Sequence, residues 1–287
     1  MKVFNLSALN IKNIIKKFIH FFGFELSNLK SLKENRTIVS KLSEDKEEIE
    51  AALNKILLIL DKSVSDNSKF SLEGFLKFSI DKVIKSKAQI FQDLFVLYYL
   101  KEKRNGFFVE FGATNGISLS NTYLLEKAYG WTGILAEPGI IWNSQLKSNR
   151  NCSIDNRCVW TVSGTKLIFN ETENASLSQI DLYAENDFMA AKRNIRSNYK
   201  VSTISLNDLL ETYHAPLSID YLSIDTEGSE YEILKAFNFE KFKISVITVE
   251  HNFSESRQLI FNLLSKNGYK RVFEKISLFD DWYVKYN

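Results

Sequence analysis

From Phe107 onward, short apolar runs of strand length alternate with segments of helical spacing, and this alternation limits the fold more than any other feature of the chain. The pattern predicts strands at Phe107–Phe111, Thr132–Ala136, Tyr221–Ile224 and Ser245–Val249. It predicts a third strand near Cys158–Thr161 and a further strand or hairpin at Lys166–Asn170. Helices are predicted at Leu119–Ala128, Ile141–Leu146, Leu206–Tyr213, Tyr231–Phe237 and Arg257–Lys266. Such an order builds a parallel sheet with helices on both faces. The last two strand-like runs, Tyr269–Glu274 and Trp282–Lys285, have no long helix between them. A connection that short cannot make a parallel crossover, so they form an antiparallel edge. Residues 171–200 read as a polar, irregular loop or insertion, and "AQIFQDLFVLYYLKE" as an amphipathic helix leading into the first strand.

Ahead of this region the chain has a different character. Leu9–Phe22 places Ile11, Ile14, Ile15, Phe18, Ile19 and Phe22 at helical spacing, with Lys12, Lys16 and Lys17 among them. A basic amphipathic helix of this kind lies on an anionic membrane surface, or packs its apolar face against this chain or a second copy of it. Between Thr37 and Val64, Leu42, Ile49 and Ile56 recur every seven residues, with Leu53 and Leu60 interleaved and Lys46 interrupting. This supports a short coiled coil or helical hairpin, and with it a homo-oligomer. The expected organisation is a helical extension over residues 1–70 and a second domain over 71–287.

Composition narrows the function. A hydrophobic share of 45% and a charged share of 25% are those of an ordinary globular chain. A net charge of +2 gives no footprint for nucleic acid. Only Cys152 and Cys158 are present, in no metal-ligand pattern, so the expected compartment is a reducing cytoplasm, with peripheral contact at the inner membrane face if residues 9–22 bind lipid.

The chemistry concentrates at predicted strand ends. In "FFVEFGATNG" the first strand carries Glu110 and then breaks into Gly112, Ala113, Thr114, Asn115 and Gly116. In an open α/β sheet, ligands bind beyond the carboxyl ends of the strands, and glycines there let the backbone approach them. A pyrophosphate gains nothing from an adjacent acid, whereas a ligand with an amino group and a positive centre does. The second strand ends in "GILAEP", which places Glu137 to accept hydrogen bonds from ribose hydroxyls. The alternatives are that Glu110 caps the next helix from beneath and that Glu137 is a solvated strand end.

"IDYLSIDTEGSEYEIL" delivers Asp225 and Glu227 to the end of a later strand, and "ITVEHNF" brings Glu250 and His251 to the same rim. Ser229 and Glu232 have the spacing of a capping box. His251, one of three histidines, suits a general base.

These segments, in this order, resemble the FkbM family of S-adenosylmethionine-dependent methyltransferases. The resemblance runs from about Lys87 to the C-terminus and also takes in "AQIFQDLFVL" and "LLSKNGY". It implies an α/β, Rossmann-like class I methyltransferase fold: a mostly parallel seven-stranded sheet with a C-terminal antiparallel hairpin, behind the α-helical extension. It implies that Glu110 and the Gly112–Gly116 loop hold the methionine end of the cofactor, with Ala113, Thr114 and Asn115 departing from the common Gly-x-Gly form. Glu137 would take the ribose, Asn156 and Cys158 would flank the adenine, and Gln92 and Asp93 would cover the pocket. Asp225 or His251 would then be the base, with Glu227 and Glu250 orienting it or the acceptor. A divalent metal on the same carboxylates is the second choice, and none is expected as a fixed part of the site. The family implies an O-methylated sugar, nucleotide sugar or surface glycan as acceptor, as in polysaccharide biosynthesis. Trp160, Tyr183, Tyr199 and the basic residues 190–200 would form an acceptor lid. A protein or lipid acceptor, and a non-catalytic adaptor working through the N-terminal helices, stand as alternatives.

Overall fold

The computed structural model describes residues 71–79, 82–83, 85–183, 194–274 and 276–286. The expectations for residues 9–22 and 37–64, and for residues 190–193 of the lid, lie outside them. The chain divides into two compact units. One includes the helix α1 (Leu72–Ser79), which begins where the Ser71 hydroxyl accepts the Gly74 N–H. The other, Lys87–Glu274 with Phe279–Asn287, holds the sheets. Among the described residues no helix is long and apolar enough to cross a membrane.

In the larger unit, α2 (Gln92–Tyr99) is followed by β1 (Phe107–Phe111), α3 (Tyr123–Tyr129), β2 (Thr132–Ala136), α4 (Asn143–Asn149) and β3 (Ser153–Asp155). After an excursion the chain continues with α5 (Leu206–Thr212), β8 (Ser218–Ile224), α6 (Glu230–Lys235), β9 (Lys243–Glu250), α7 (Ser256–Lys266), β10 (Tyr269–Val272) and β11 (Asp280–Lys285). The excursion carries β4 (Cys158–Trp160), β5 (Lys166–Thr172), β6 (Gln179–Ile180) and β7 (Ile195–Ser205).

The main sheet has seven strands in the order β10-β11-β9-β8-β1-β2-β3. Neighbours from β3 to β9 run parallel, and β11 is antiparallel to both β9 and β10. This is the expected Rossmann-like sheet closed by a reversed hairpin. β1 and β2 read as continuous apolar runs because helices cover both faces of a parallel sheet. Against β11, the Phe95 ring of α2 stacks on Trp282 with centroids 4.6 Å apart, both fully buried. The sheet direction reverses at β1, which lies between β8 and β2. Ligand crevices form at such a switch point.

Two predictions fail in the excursion. The third strand of the sheet is Ser153–Asp155, paired with Ile134–Ala136, and Cys158–Trp160 belongs to a separate four-stranded sheet of order β4-β7-β5-β6. The polar "SID" offers no apolar run to read, so the nearest apolar segment drew the assignment. Residues 195–200, expected to be irregular, start an eleven-residue strand paired with β5. Its first half is largely exposed, and a strand wet on that side carries no hydrophobic pattern.

Candidate functional site

β1 ends at Phe111, and Gly112 turns the chain with φ +72°. A Cβ there would stand 2.2 Å from the Asp225 carbonyl oxygen, so only glycine lets this loop pass the end of β8 so closely. Thr114, also at positive φ, donates its N–H to Glu137 Oε2 at 2.8 Å, and Gly139 donates to the other oxygen at 2.7 Å. Asn156 donates to the Glu137 carbonyl at 3.2 Å. Burial pushes the Glu137 carboxyl up to about 7, although the two amides pull it down. The Gly112–Gly116 loop, Glu137 and Asn156 therefore meet in one place. Cys158 is buried with Phe169, Ile180 and Val201 of the small sheet. Burial first, and then the Glu137 charge, push its thiol up to about 12.

Glu110 takes the role of capping from beneath. One carboxylate oxygen accepts the Asn121 N–H at 2.6 Å, and the other accepts the hydroxyls of Ser120 and Thr122, at the start of α3. Arg150 completes this knot, which the sequence reading missed. Its buried guanidinium donates to Glu126, the Gly116 carbonyl, Ser120 and Thr122, and stands 3.7 Å from Glu110. Burial pushes Glu126 up, but Arg150, the Asn151 N–H and Lys127 together hold it below its ordinary value. The acid on β1 thus shapes the glycine loop from inside the fold.

At the neighbouring strand ends, Asp225 follows β8 and Glu250 closes β9. Carboxylate oxygens of Asp225, Glu227 and Glu250 all lie within 4.8 Å of one another. Burial raises the Asp225 and Glu250 carboxyls. The Asp225 charge raises Glu250 further, and a hydrogen bond from Glu250 draws Asp225 back down. Of the two, Asp225 is the partly exposed member.

Glu227 adopts φ +58°, a strained conformation for a residue with a side chain. Glu230 holds it there by accepting the N–H groups of Thr226 and Gly228 at 2.9 and 3.0 Å. The predicted capping box does not form. The Ser229 side chain makes no cap bond and instead donates to Thr226 Oγ1, while Glu232 faces Lys235. A carboxylate two residues after a tight turn reaches its amides more directly than one four residues on, and this is the clasp that the sequence reading overlooked.

His251 adjoins the cluster but is poorly suited to take a proton. Its Nδ1 accepts the Phe253 N–H at 3.0 Å, so the neutral ring carries its hydrogen on Nε2, 3.7 Å from Asp281. Burial pushes its pKa down to about 4, and Asp281 only partly opposes this because Arg257 and Arg271 already pair with it. Gln92 donates to Asp280 at 2.8 Å, and Asp280 is the register partner of Glu250, so Gln92 supports the acid cluster. Asp93 accepts the N–H of Lys87 at 3.3 Å. Ala88 bridges to Leu119, which lays the lead-in segment along the loop after the glycines. Tyr199, an expected lid residue, accepts the Ile140 N–H at 3.0 Å and donates to Glu171.

Comparison with known proteins places this geometry. The family model described as "Methyltransferase FkbM domain" matches residues 110–271, more than half the chain. No curated protein matches the sequence. Among solved structures, the precorrin-6y C5,15-methyltransferase of Geobacter metallireducens aligns over 67% of this chain and 85% of its own, at 11% identity and a TM-score of 0.37. That likeness is too remote to carry an argument. The family match rests on the segment that contains Glu110, the glycine loop, Glu137 and the Asp225–Glu250 rim, and this chain belongs to the FkbM methyltransferase family.

Proposed function

We propose that the protein is an S-adenosylmethionine-dependent O-methyltransferase whose acceptor is a polyhydroxylated molecule: a sugar, nucleotide sugar or surface glycan. The observation that carries this reading is the meeting of two strand-end sites across Gly112. A loop and carboxylate suited to a nucleoside lie on one side, and a cluster of three carboxylates on the other.

The residues fit the cofactor. Gly112 leaves backbone where a side chain would strike Asp225, and Glu137 offers paired carboxylate oxygens at the end of β2. Glu137 would hold the ribose hydroxyls, Asn156 would border the adenine, and the Gly112–Gly116 backbone would line the methionine end. The nearby acids favour a ligand that carries positive charge. When bound, S-adenosylmethionine supplies an electrophilic methyl group on a sulfonium.

The protein's own work is alignment and proton removal. An alcohol oxygen loses its proton as it attacks, and Asp225 is the carboxylate placed to accept it. Glu250 stands beside Asp225, and Glu227 reaches the same space from its clasped turn. His251 keeps the Asn252–Phe253 turn in place.

Residues 1–70 are assigned, in the same reading, as a helical extension in which Leu9–Phe22 meets an anionic membrane face or a second copy. Full-length protein with Lys12, Lys16 and Lys17 changed to Glu loses vesicle binding if the contact is electrostatic. If wild-type protein ignores anionic vesicles, the lipid role is discarded.

The deciding experiment is calorimetric titration with S-adenosylmethionine of wild type and Glu137→Ala. Saturable binding that weakens sharply in the variant supports the cofactor site and justifies a screen of sugars and glycans. A folded wild type that binds none of it would favour a non-catalytic adaptor.

A further inference from the structure

We infer that Asp225, Glu227 and Glu250 form a binding site for one divalent cation of the magnesium or manganese type. Three carboxylates from two adjacent strand ends bring ligand oxygens within 4.8 Å of one another. One ion with oxygens at about 2.0–2.6 Å can draw such a set together with small side-chain rotations.

Convergence of acids alone would not decide this. The further observation is Glu250 itself: it is nine-tenths buried, and among the described residues Oε2 has no hydrogen-bond partner. Among the described residues, the ionisable groups that act on it most strongly are Asp225, Glu227, Glu230 and Asp280, all acids. No lysine or arginine among the described residues pairs with Asp225 or Glu250. Nearby acids in the same region do have donors or cations: Glu110 has Ser120, Thr122 and Arg150, Glu230 has two amides, and Asp281 has Arg257 and Arg271. A buried carboxylate oxygen left without donor or cation is costly, and a metal ion offsets that cost.

The chemistry of the set selects the ion. It is all oxygen, with no sulfur or imidazole, which favours hard cations over zinc or copper. Asp225 is partly exposed, so the cluster opens to solvent and leaves positions for water or acceptor hydroxyls. Magnesium characteristically binds through a few carboxylates and keeps its remaining positions for water or substrate. The role of the ion rests on the methyltransferase reading: a cation here would bind adjacent acceptor hydroxyls and make one of them more acidic. Its binding does not depend on that reading.

The test uses full-length protein stripped with EDTA, with manganese as the probe and loss of the free-ion paramagnetic resonance signal as the readout. The same samples are titrated with S-adenosylmethionine. We expect one manganese per chain, displaced by magnesium and bound at least tenfold more weakly by Glu250→Gln of unchanged circular dichroism. If that variant does not fold, Glu227→Gln is expected to show the same weakening. Protein that binds S-adenosylmethionine but takes up no manganese overturns the cation site and leaves the methyltransferase reading standing. Equal uptake by wild type and a folded variant also overturns it. Manganese uptake without cofactor binding supports the cation site and counts against the proposed activity.

Discussion

Gly112 and the Asp225 carbonyl are packed so closely that a single added methyl group would lie 2.2 Å from the oxygen. The loop after β1 and the end of β8 thus behave as one structural piece. The Gly112→Ala variant adds this clash with backbone to the strain of a side chain at φ +72°, which alone costs about 1–2 kcal/mol. It is expected to lower the melting temperature and weaken S-adenosylmethionine binding at least a hundredfold. Gly164→Ala is the control, because it shares a positive φ but meets nothing within 4 Å. Its effect should be confined to the strain. Equal losses in the two variants would mean that the Gly112–Asp225 contact is unimportant.

Glu137 should give stability and binding opposite pH dependences. Its carboxyl sits at about 7 in the fold, against 4.5 ordinarily, because burial disfavours its charge. A raised folded value stabilises fully below the unfolded value and is lost as pH climbs through 7. Thermal melts of the ligand-free protein should therefore show a fall between pH 5 and 8 that Glu137→Gln diminishes. Cofactor affinity should rise over the same range, since only the ionised carboxylate can accept from both ribose hydroxyls. Calorimetry at pH 6 and 8 checks this, and a pH-independent affinity in wild type would count against Glu137 as the ribose ligand.

Arg150→Met should be among the most damaging substitutions outside the crevice. It leaves Glu110 buried without its cation, leaves Glu126 with only Lys127, and removes hydrogen bonds to Gly116, Ser120 and Thr122. Removing one partner of a buried ion pair typically costs about 3–5 kcal/mol. Urea denaturation followed by circular dichroism measures it, and a loss below about 1 kcal/mol, the range of surface pairs, would show that the knot is not structural.

Asp225 and His251 should separate in activity. With an acceptor in hand, Asp225→Asn is expected to lower kcat by about 10²–10⁴, the usual contribution of a general base. His251→Asn keeps an acceptor for the Phe253 amide and should stay within a few-fold of wild type. A severe loss in His251→Asn with Asp225→Asn active would reverse the assignment.

Much of the fold was legible because parallel strands buried on both faces leave continuous apolar runs. Phe107–Phe111 and Thr132–Ala136 stand where the pattern predicted, and the reversed hairpin followed from the short link between its strands. The polar strands Ser153–Asp155 and Ile195–Ser205 were not legible, since their partners rather than their composition make them strands. The site divides along the same line. Local sequence determined that glycines follow β1 and that Asp225, Glu227 and Glu250 end later strands, because a strand end is a position in the chain. Only the tertiary structure decided what each group faces: Glu110 turned inward onto Ser120, Asn121, Thr122 and Arg150, His251 committed to its own turn, and Glu230 clasping Thr226 and Gly228. Burial and hydrogen-bond partners set the charge and direction of a polar side chain, and those partners come from segments that the chain brings together only when it folds.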